Sequence, residues 1–244
     1  MRIVLDNIIF SMQKTGGISI VWYELIKKIL SIKSDVAFLE YKRSKENIFR
    51  NKLQLLKNEL SLSGHLPLKI ERYRNPYINS IGNDYFIFHS SYYRTCRNKK
   101  AINITTVHDF TYEYYSIRNS DYIICISDNT KSDLLKFLPD VDANKIQVIY
   151  NGVSNEYLPI SSNDFKKPLN PYTPYSFVLF VGSREKYKNF RLAAKAVAES
   201  KKNMLIVGNP LNKEEVLFLN SIFDKSSYCF RKRVSNDELN NIYN

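Results

Sequence analysis

The sequence contains few cysteines and no long apolar run, and each shortage excludes a class of protein. Cys96, Cys125 and Cys229 are widely spaced and form no CxxC pair, which argues against a disulfide framework and a zinc site. No run reaches the roughly 18 apolar residues that a transmembrane helix needs. The first residues, MRIVLDNIIFSM, lack the three-part pattern of a signal peptide and predict a β-strand. We therefore expect a cytoplasmic protein with reduced thiols.

Several familiar catalytic signatures are also missing. The sequence contains no GxSxG, HExxH or P-loop pattern. The DVD at 140–142 matches the DxD pattern of some metal sites, but it directly follows a proline, where aspartate is common in turns. Lys145 and Asn151 occupy positions at which a calcium-binding loop needs glycine and glutamate. We therefore expect neither a metal site nor a cofactor.

Positive charge is abundant and unevenly distributed. The net charge is +12, and the region from Tyr41 to Lys100 contains thirteen Lys or Arg against four Asp or Glu. Such a region favours an anionic partner, which could be phospholipid head groups, nucleic acid or a phosphorylated substrate. A solvated basic surface without a partner is the alternative. No recognisable motif supports nucleic acid.

Short apolar runs alternate with helical patterns, which predicts a parallel α/β architecture. Residues 154–174 interrupt the alternation with four prolines and no apolar period, so we predict an N-terminal domain at 1–153, a linker at 154–174 and a partial second domain at 175–244. Strands are predicted at 2–7, 36–41, 84–91, 102–109, 121–127, 145–153, 177–182, 204–209 and 227–230. Helices are predicted at 18–32, 129–138, 189–200, 212–223 and from Ser235 onward.

Two glycine turns lead from predicted strands into predicted helices. Gly16 and Gly17 precede the helix at 18–32, and free N–H groups at a helix start favour an anion. The second turn, VGSREKYKN at 181–189, places three cations beside a helix start, which suits a diphosphate. A plain tight turn and an exposed basic turn are the respective alternatives.

Histidines end two of the predicted buried strands. His108 and Asp109 follow one strand and His89 ends another. Ligands of parallel sheets bind at the carboxyl ends of the strands, so His108 is a candidate catalytic residue, and Asp109 and His89 are candidate acceptor or cleft residues. A hydrogen-bonded structural histidine is the alternative for each.

Seven stretches, taken in order and spacing, resemble the group-one (family 4) retaining glycosyltransferases of the GT-B fold. The resemblance is closest to bacterial enzymes of O-antigen and capsule synthesis, of mannosyl or rhamnosyl type. It implies two Rossmann-like domains facing a cleft, with the acceptor bound by the first and the nucleotide-sugar donor by the second. The stretches are GGI at 16–18, TTVHDFTYEYY at 105–115, DYIICISDNTKSDLLKF at 121–137, KIQVIYNGV at 145–153, FVLFVGSREKYKNF at 177–190, MLIVGNP at 204–210 and VSNDELNNIY at 234–243.

The resemblance also implies roles for three residues of the first domain. His108 matches the active-site histidine beside the transferred sugar. Gly16 and Gly17 let the donor diphosphate and sugar approach the backbone.

In the second domain, Lys188 matches the lysine that binds the donor diphosphate, and Arg184 is the best match for its arginine partner. The two cations would neutralise the leaving diphosphate, so that no metal is needed. Tyr187 stands where the commoner RKN form has its arginine, which leaves Arg184 and Lys186 as alternatives for that role.

The family continues past the DELNNIY pattern with a PS-x-x-EGFG segment and two glutamates at E-x7-E spacing, which bind the sugar and the ribose. The sequence stops at Asn244 before either. We therefore expect a truncated chain with weak or no catalysis by itself. A fragment, an interrupted gene and one half of a split enzyme all remain open.

By resemblance, the predicted function is hexosyl transfer from a nucleotide sugar to a lipid-linked saccharide in lipopolysaccharide O-antigen or capsule synthesis. The predicted location is the inner face of the cytoplasmic membrane, where the basic 41–100 region would contact anionic lipid, without a nucleic-acid partner. The alternative is a catalytically inactive binding subunit that depends on a partner.

Overall fold

The computed structural model describes residues 1–32, 35–53, 59–61, 68–78, 84–108, 114–154, 156–161, 171–173, 175–232 and 234–244. Within these ranges the chain forms two compact units, Met1–Gly152 and Val153–Asn244. None of the helices in this part of the chain is both long and apolar enough to cross a membrane.

The N-terminal unit contains a parallel sheet whose described part has seven strands. The strands are Ile3–Asp6 (β1), Val36–Glu40 (β2), Glu59–Ser61 (β3), Phe86–Ser90 (β4), Ala101–Val107 (β5), Tyr122–Cys125 (β6) and Ile146–Val148 (β7). Their order in the sheet is β3-β2-β1-β4-β5-β6-β7, and every pairing is parallel. Successive strands are therefore added on one side of β1 up to β3 and on the other side from β4 onward. Sheets of this kind bind ligands in the crevice outside the carboxyl ends of the two strands at this switch point, β1 and β4.

Helices and short turns connect these strands. The helices are Ile8–Met12 (α1), Gly17–Ile32 (α2), Ile48–Lys52 (α3), Leu68–Glu71 (α4), Tyr114–Arg118 (α5) and Asp128–Phe137 (α6), with 3-10 turns at Lys42–Glu46 and Ala143–Lys145.

Both faces of the sheet are buried, as a parallel sheet requires. All five residues of β2 are buried, and successive residues of β1 contribute to different clusters. Val4 packs with Ile8, Leu39 and Phe88. Leu5 packs on the other face against a cluster that includes Trp22, Ile26 and Phe38 from α2 and β2. Helix α2 is therefore held against the face of the sheet on which Leu5 lies.

The C-terminal unit repeats the same arrangement on a smaller scale. Its strands are Phe177–Val181 (β8), Asn203–Gly208 (β9) and Tyr228–Lys232 (β10), in the parallel order β10-β9-β8. Its helices are Phe190–Glu199 (α7), Lys213–Ile222 (α8) and Asn236–Tyr243 (α9). Helices α7 and α8 pack on one face of the sheet and α9 packs on the other.

The parallel α/β architecture predicted from the sequence is confirmed, with differences in detail. The helix predicted at 129–138 begins at Asp128, because the hydroxyl of Ser127 rather than Asn129 accepts the N–H of Thr130. The strand predicted at 145–153 ends at Val148. Part of the segment predicted as a linker lies against α9, where the main chain of Leu158 accepts a hydrogen bond from the Asn240 side chain at 3.1 Å.

Candidate active site

The carboxyl ends of β1, β4 and β5 lie side by side at one edge of the first sheet. The register places Asp6 of β1 beside Ser90 of β4, and His89 beside Ile104 of β5. His108 directly follows β5 and is half-buried. The two histidines predicted from the sequence therefore lie at the same edge, on neighbouring strands. Asp109, the other predicted residue here, lies outside the described residues.

His89 is buried rather than displayed on the edge. Its Nε2 lies 2.9 Å from the hydroxyl of Thr106, and the Trp22 ring packs edge-on with ring centroids 5.1 Å apart. Burial, helped by the charge that His108 can carry, lowers the pKa of His89 to about 4. The imidazole of His89 is therefore neutral at pH 7.

This lowered pKa predicts a pH-dependent stability. The unfolded chain binds a proton at His89 below its ordinary pKa of 6.5, whereas the folded protein does so only below about 4. Stability should therefore be full above pH 6.5 and fall between pH 6.5 and 4, by about 3 kcal/mol in total. Urea denaturation of the wild type and of His89→Gln at pH 7.0, 5.5 and 4.5 tests this. Equal pH dependence in both proteins would refute the burial of a neutral His89.

The two glycines before α2 have different surroundings. A side chain on Gly16 would collide with the Gln13 carboxamide oxygen, whereas a side chain on Gly17 would meet nothing within 4 Å. Gly17 is the first residue of α2, and Ser19 donates its hydroxyl to the Gly16 carbonyl at 2.9 Å. Gly16 therefore accommodates Gln13, while Gly17 leaves open space at the start of a long helix.

A buried ion pair, which the sequence reasoning missed, occupies the point where the strand order reverses. Arg94 and Asp6 have fully buried side chains. Arg94 donates from Nη2 to Asp6 Oδ1 at 2.5 Å and from Nε to Oδ2 at 2.9 Å. Ser90 donates its hydroxyl to the same carboxylate at 2.7 Å. The pair links the end of β1 to the residues that follow β4, and each of its two charges is neutralised by the other.

A second buried network lies at the ends of β1 and β2. Asn7 donates to Glu40 Oε1 at 2.5 Å, and Arg50 donates from Nε to the same oxygen at 2.8 Å. Trp22 donates its indole N–H to Asn7 Oδ1 at 2.7 Å. Since Arg50 and Arg94 are both buried in ion pairs, the basic 41–100 region presents fewer cations to a partner than its sequence suggests.

In the C-terminal unit, the glycine that begins the turn after β8 packs closely against a glycine at the end of β9. Gly182 has a φ of +124°, a conformation that suits glycine. A side chain on Gly208, at the end of β9, would meet the Gly182 carbonyl oxygen at 2.5 Å. The two strand ends can approach because residue 208 is glycine, whereas residue 182 favours glycine because of its φ.

Arg184, a predicted diphosphate ligand, is largely occupied by protein groups. Its Nε and Nη2 donate to the Glu215 carboxylate at 2.8 and 3.1 Å, and Nη2 also donates to the Pro210 carbonyl at 2.9 Å. Burial raises the pKa of Glu215, but hydrogen bonds from Arg184 and from the N–H of Asn212 outweigh it and leave that pKa below its ordinary value. The third guanidinium nitrogen, Nη1, is buried and has no hydrogen-bond partner among the described residues.

Lys188, the other predicted diphosphate ligand, is exposed. It ends the 3-10 turn Lys186–Lys188, and its Nζ lies 4.9 Å from the centroid of the Tyr187 ring. Asn189 follows in a left-handed conformation and caps α7 without a side-chain hydrogen bond. The first turn of α7 contains no acidic residue and has no side-chain cap, and Lys188 directly precedes the N-cap residue Asn189 in the chain. This arrangement favours an anion at the start of α7.

The acidic side chains of the DVD sequence have protein partners. Asp140 accepts two hydrogen bonds from Arg118 at 2.9 and 3.1 Å, and Asp142 accepts the N–H of Asn144 at 2.9 Å. Asp142 thus caps a turn, as proposed for this sequence. Across the described ranges, no three His, Cys, Asp or Glu side chains are grouped closely enough to hold a metal ion.

Comparison with known proteins adds a family and a fold. The sequence profile of Glycosyltransferase Family 4 matches residues 15–157, which is more than half of the chain. No curated protein sequence matches. The crystal structure of Anabaena Alr3699/HepE in complex with UDP superposes with a TM-score of 0.64 at 14% identity, covering 99% of this chain and 71% of that one. The structure of the same protein with UDP and glucose superposes with a TM-score of 0.62 at 13% identity, and it covers the same fractions of the two chains. At this identity the likeness establishes the GT-B fold and its two Rossmann-like units, the second of them incomplete.

Proposed function

Because the chain belongs to glycosyltransferase family 4, we propose that it transfers a sugar from a nucleotide-sugar donor to a saccharide acceptor. The observation that carries the proposal is the edge of the first sheet, where Gly17 leaves open space at the start of α2 and His108 follows β5. An open helix start and a histidine at this edge are suited to an anionic, polar substrate.

The donor diphosphate has a suitable ligand in the turn after β8. We propose that Lys188 contacts it as an exposed point charge, helped by the first N–H groups of α7. Neutralisation of the leaving diphosphate by these groups would stabilise the transition state without a metal cofactor. Arg184 would contribute indirectly, by holding the turn through Glu215 and Pro210, because its side chain is buried and bound to these groups.

For the transfer step, we propose that His108 lies beside the transferred sugar and that the anomeric configuration is retained. The role of His108 is supported by the resemblance of TTVHD at 105–109 to the family motif, whereas retention is supported only by membership of the family. A hexose, of mannosyl or rhamnosyl type, is the proposed sugar. The complexes of Anabaena Alr3699/HepE contain UDP, UDP and glucose, or UDP-glucose, so UDP-glucose is a reasonable first donor to test beside GDP-mannose.

The proposed acceptor is a lipid-linked saccharide of O-antigen or capsule synthesis, met at the inner face of the cytoplasmic membrane. The net charge of +12 supports contact with anionic lipid. Exposed basic and aromatic side chains in the 41–100 region add to this, since Arg43, Tyr73 and Tyr77 are each at least half exposed and tyrosine is common at membrane interfaces. Loss of vesicle binding on raising the salt concentration would be the expected signature.

Gly17→Ala provides a direct test of the open edge. The substitution should leave the unfolding midpoint unchanged or slightly higher, because alanine favours a helix and meets no atom within 4 Å. Affinity for UDP-glucose or GDP-mannose should nevertheless fall by about tenfold or more, since the new methyl group would displace a ligand packed against Gly17. Calorimetry with both nucleotide sugars measures the change.

Gly152→Ala is the matched control, because a side chain there also meets nothing within 4 Å. Gly16→Ala is unsuitable, since it would displace Gln13. Equal affinities in the Gly17 and Gly152 variants would show that no donor approaches Gly17. Binding without any transfer would instead support the inactive, partner-dependent subunit.

A further inference from the structure

His89 connects two elements of the proposed site that are otherwise separate. On one side its Nε2 lies 2.9 Å from the hydroxyl of Thr106, a residue of β5 that lies two positions before His108 in the sequence. On the other side the Trp22 ring of α2 packs edge-on against it, at 5.1 Å and an interplanar angle of 86°. The helix that begins at Gly17 is thus joined through one imidazole to the strand that ends before His108.

The groups that hold His89 are themselves fixed. Trp22 is buried, and its indole N–H donates to Asn7 at 2.7 Å. Asn7 in turn donates to Glu40 at 2.5 Å, and Glu40 accepts from Arg50. This chain of buried hydrogen bonds holds Trp22 in one position, so the contact with Trp22 also fixes the position of the His89 ring.

We propose that His89 is a positioning residue that fixes the end of β5, and with it His108, relative to the first turn of α2. This inference rests on the proposed function, in which His108 acts on the transferred sugar. His89 itself exchanges no proton in this role. Its low pKa agrees with this, because a buried imidazole that stays neutral adds no second positive charge near His108.

The size of the expected effect follows from the geometry of catalysis. A displacement of about 1 Å in a group near the reacting atoms can reduce turnover about 100-fold. Losing the Thr106 bond would allow such a displacement of the end of β5. The effect should appear in kcat rather than in KM, since His89 is buried and its ring nitrogen bonds Thr106 rather than the substrate.

Three variants test the proposal in the full 244-residue chain. His89→Met should lower kcat for release of UDP from UDP-glucose, or of GDP from GDP-mannose, by 10- to 100-fold, with KM changed less than threefold. Thr106→Val should show a similar loss. His89→Gln should recover most of the activity, because its amide can still bond Thr106. A Gln variant as inactive as the Met variant would instead make His89 an acid or base and overturn the proposal.

A second readout does not depend on activity. The NMR titration of the His89 ring should show protonation near pH 4 in the wild type and at a higher pH in His108→Gln, because the opposing charge is removed while burial remains. An unchanged titration would mean that the two rings do not lie close together at the edge of the sheet, and without that placement His89 could not position His108, so the inference would fail. If His108→Gln retains full turnover, the proposed catalytic role of His108 fails, and the titration still reports separately on the coupling of the two rings.

Discussion

Replacing Arg94 with methionine should lower the free energy of unfolding by about 3–5 kcal/mol, the largest stability effect we expect in this protein. The guanidinium is completely buried and makes two hydrogen bonds to Asp6. Without it, the Asp6 carboxylate would remain buried with a single hydroxyl donor, Ser90. A buried charge left without its partner is far more costly than a missing surface pair.

Arg118→Met is a matched control for this prediction. Arg118 binds Asp140 with the same two-point geometry, at 2.9 and 3.1 Å, but both side chains are about half exposed. Its loss should leave the urea midpoint nearly unchanged. Adding Asp6→Asn to Arg94→Met should recover part of the lost stability, because the unpaired charge disappears. Equal losses for the Arg94 and Arg118 variants would contradict the burial of the pair.

Lys188→Ala should weaken the binding of UDP and GDP roughly 10- to 100-fold, which corresponds to one charged hydrogen bond. Its effect on stability should be small, because the residue is exposed and its ammonium lies over the ring of its neighbour Tyr187. Arg184 cannot provide the same test. Its removal would free Glu215, whose carboxylate also accepts the N–H of Asn212 at the start of α8, and would confuse folding with binding.

Lys225→Ala is the control for Lys188→Ala. Lys225 is also exposed, but it precedes β10 and so lies at the opposite edge of the sheet from the turn after β8. Calorimetry with UDP and with GDP on both variants gives the comparison. A loss of the same size in both would mean that the turn at 183–189 is not the diphosphate site.

The residues that could be predicted from the sequence are those set by local pattern. Short apolar runs predict buried strands, and a histidine at the end of such a run lies at the ligand-binding edge of a parallel sheet. His89 and His108 were found in this way. The turn around Lys188 follows from glycine between a strand and a helix start. Gly17 was found from the same pattern, although the structure places α1 rather than a strand before it.

The missing parts depend on pairings between distant residues. Arg94 and Asp6 are separated by 88 positions, and Arg184 and Glu215 by 31. Nothing in the sequence near Arg184 distinguishes a buried, paired cation from an exposed one. The helices α1, α3, α4 and α5 were missed for another reason, since four or five residues are too few to show a helical period.

The most direct test of the central claim is transfer by the unmodified chain. UDP-glucose and GDP-mannose would be supplied in turn, with and without a polyprenyl diphosphate-linked saccharide in anionic vesicles, and the released UDP or GDP measured. We predict that one of the two donors is consumed, at a low rate in keeping with the weak catalysis expected of this chain, that the acceptor increases the release, and that His108→Gln is inactive. No binding of either nucleotide sugar, together with no release under any condition, would contradict the account.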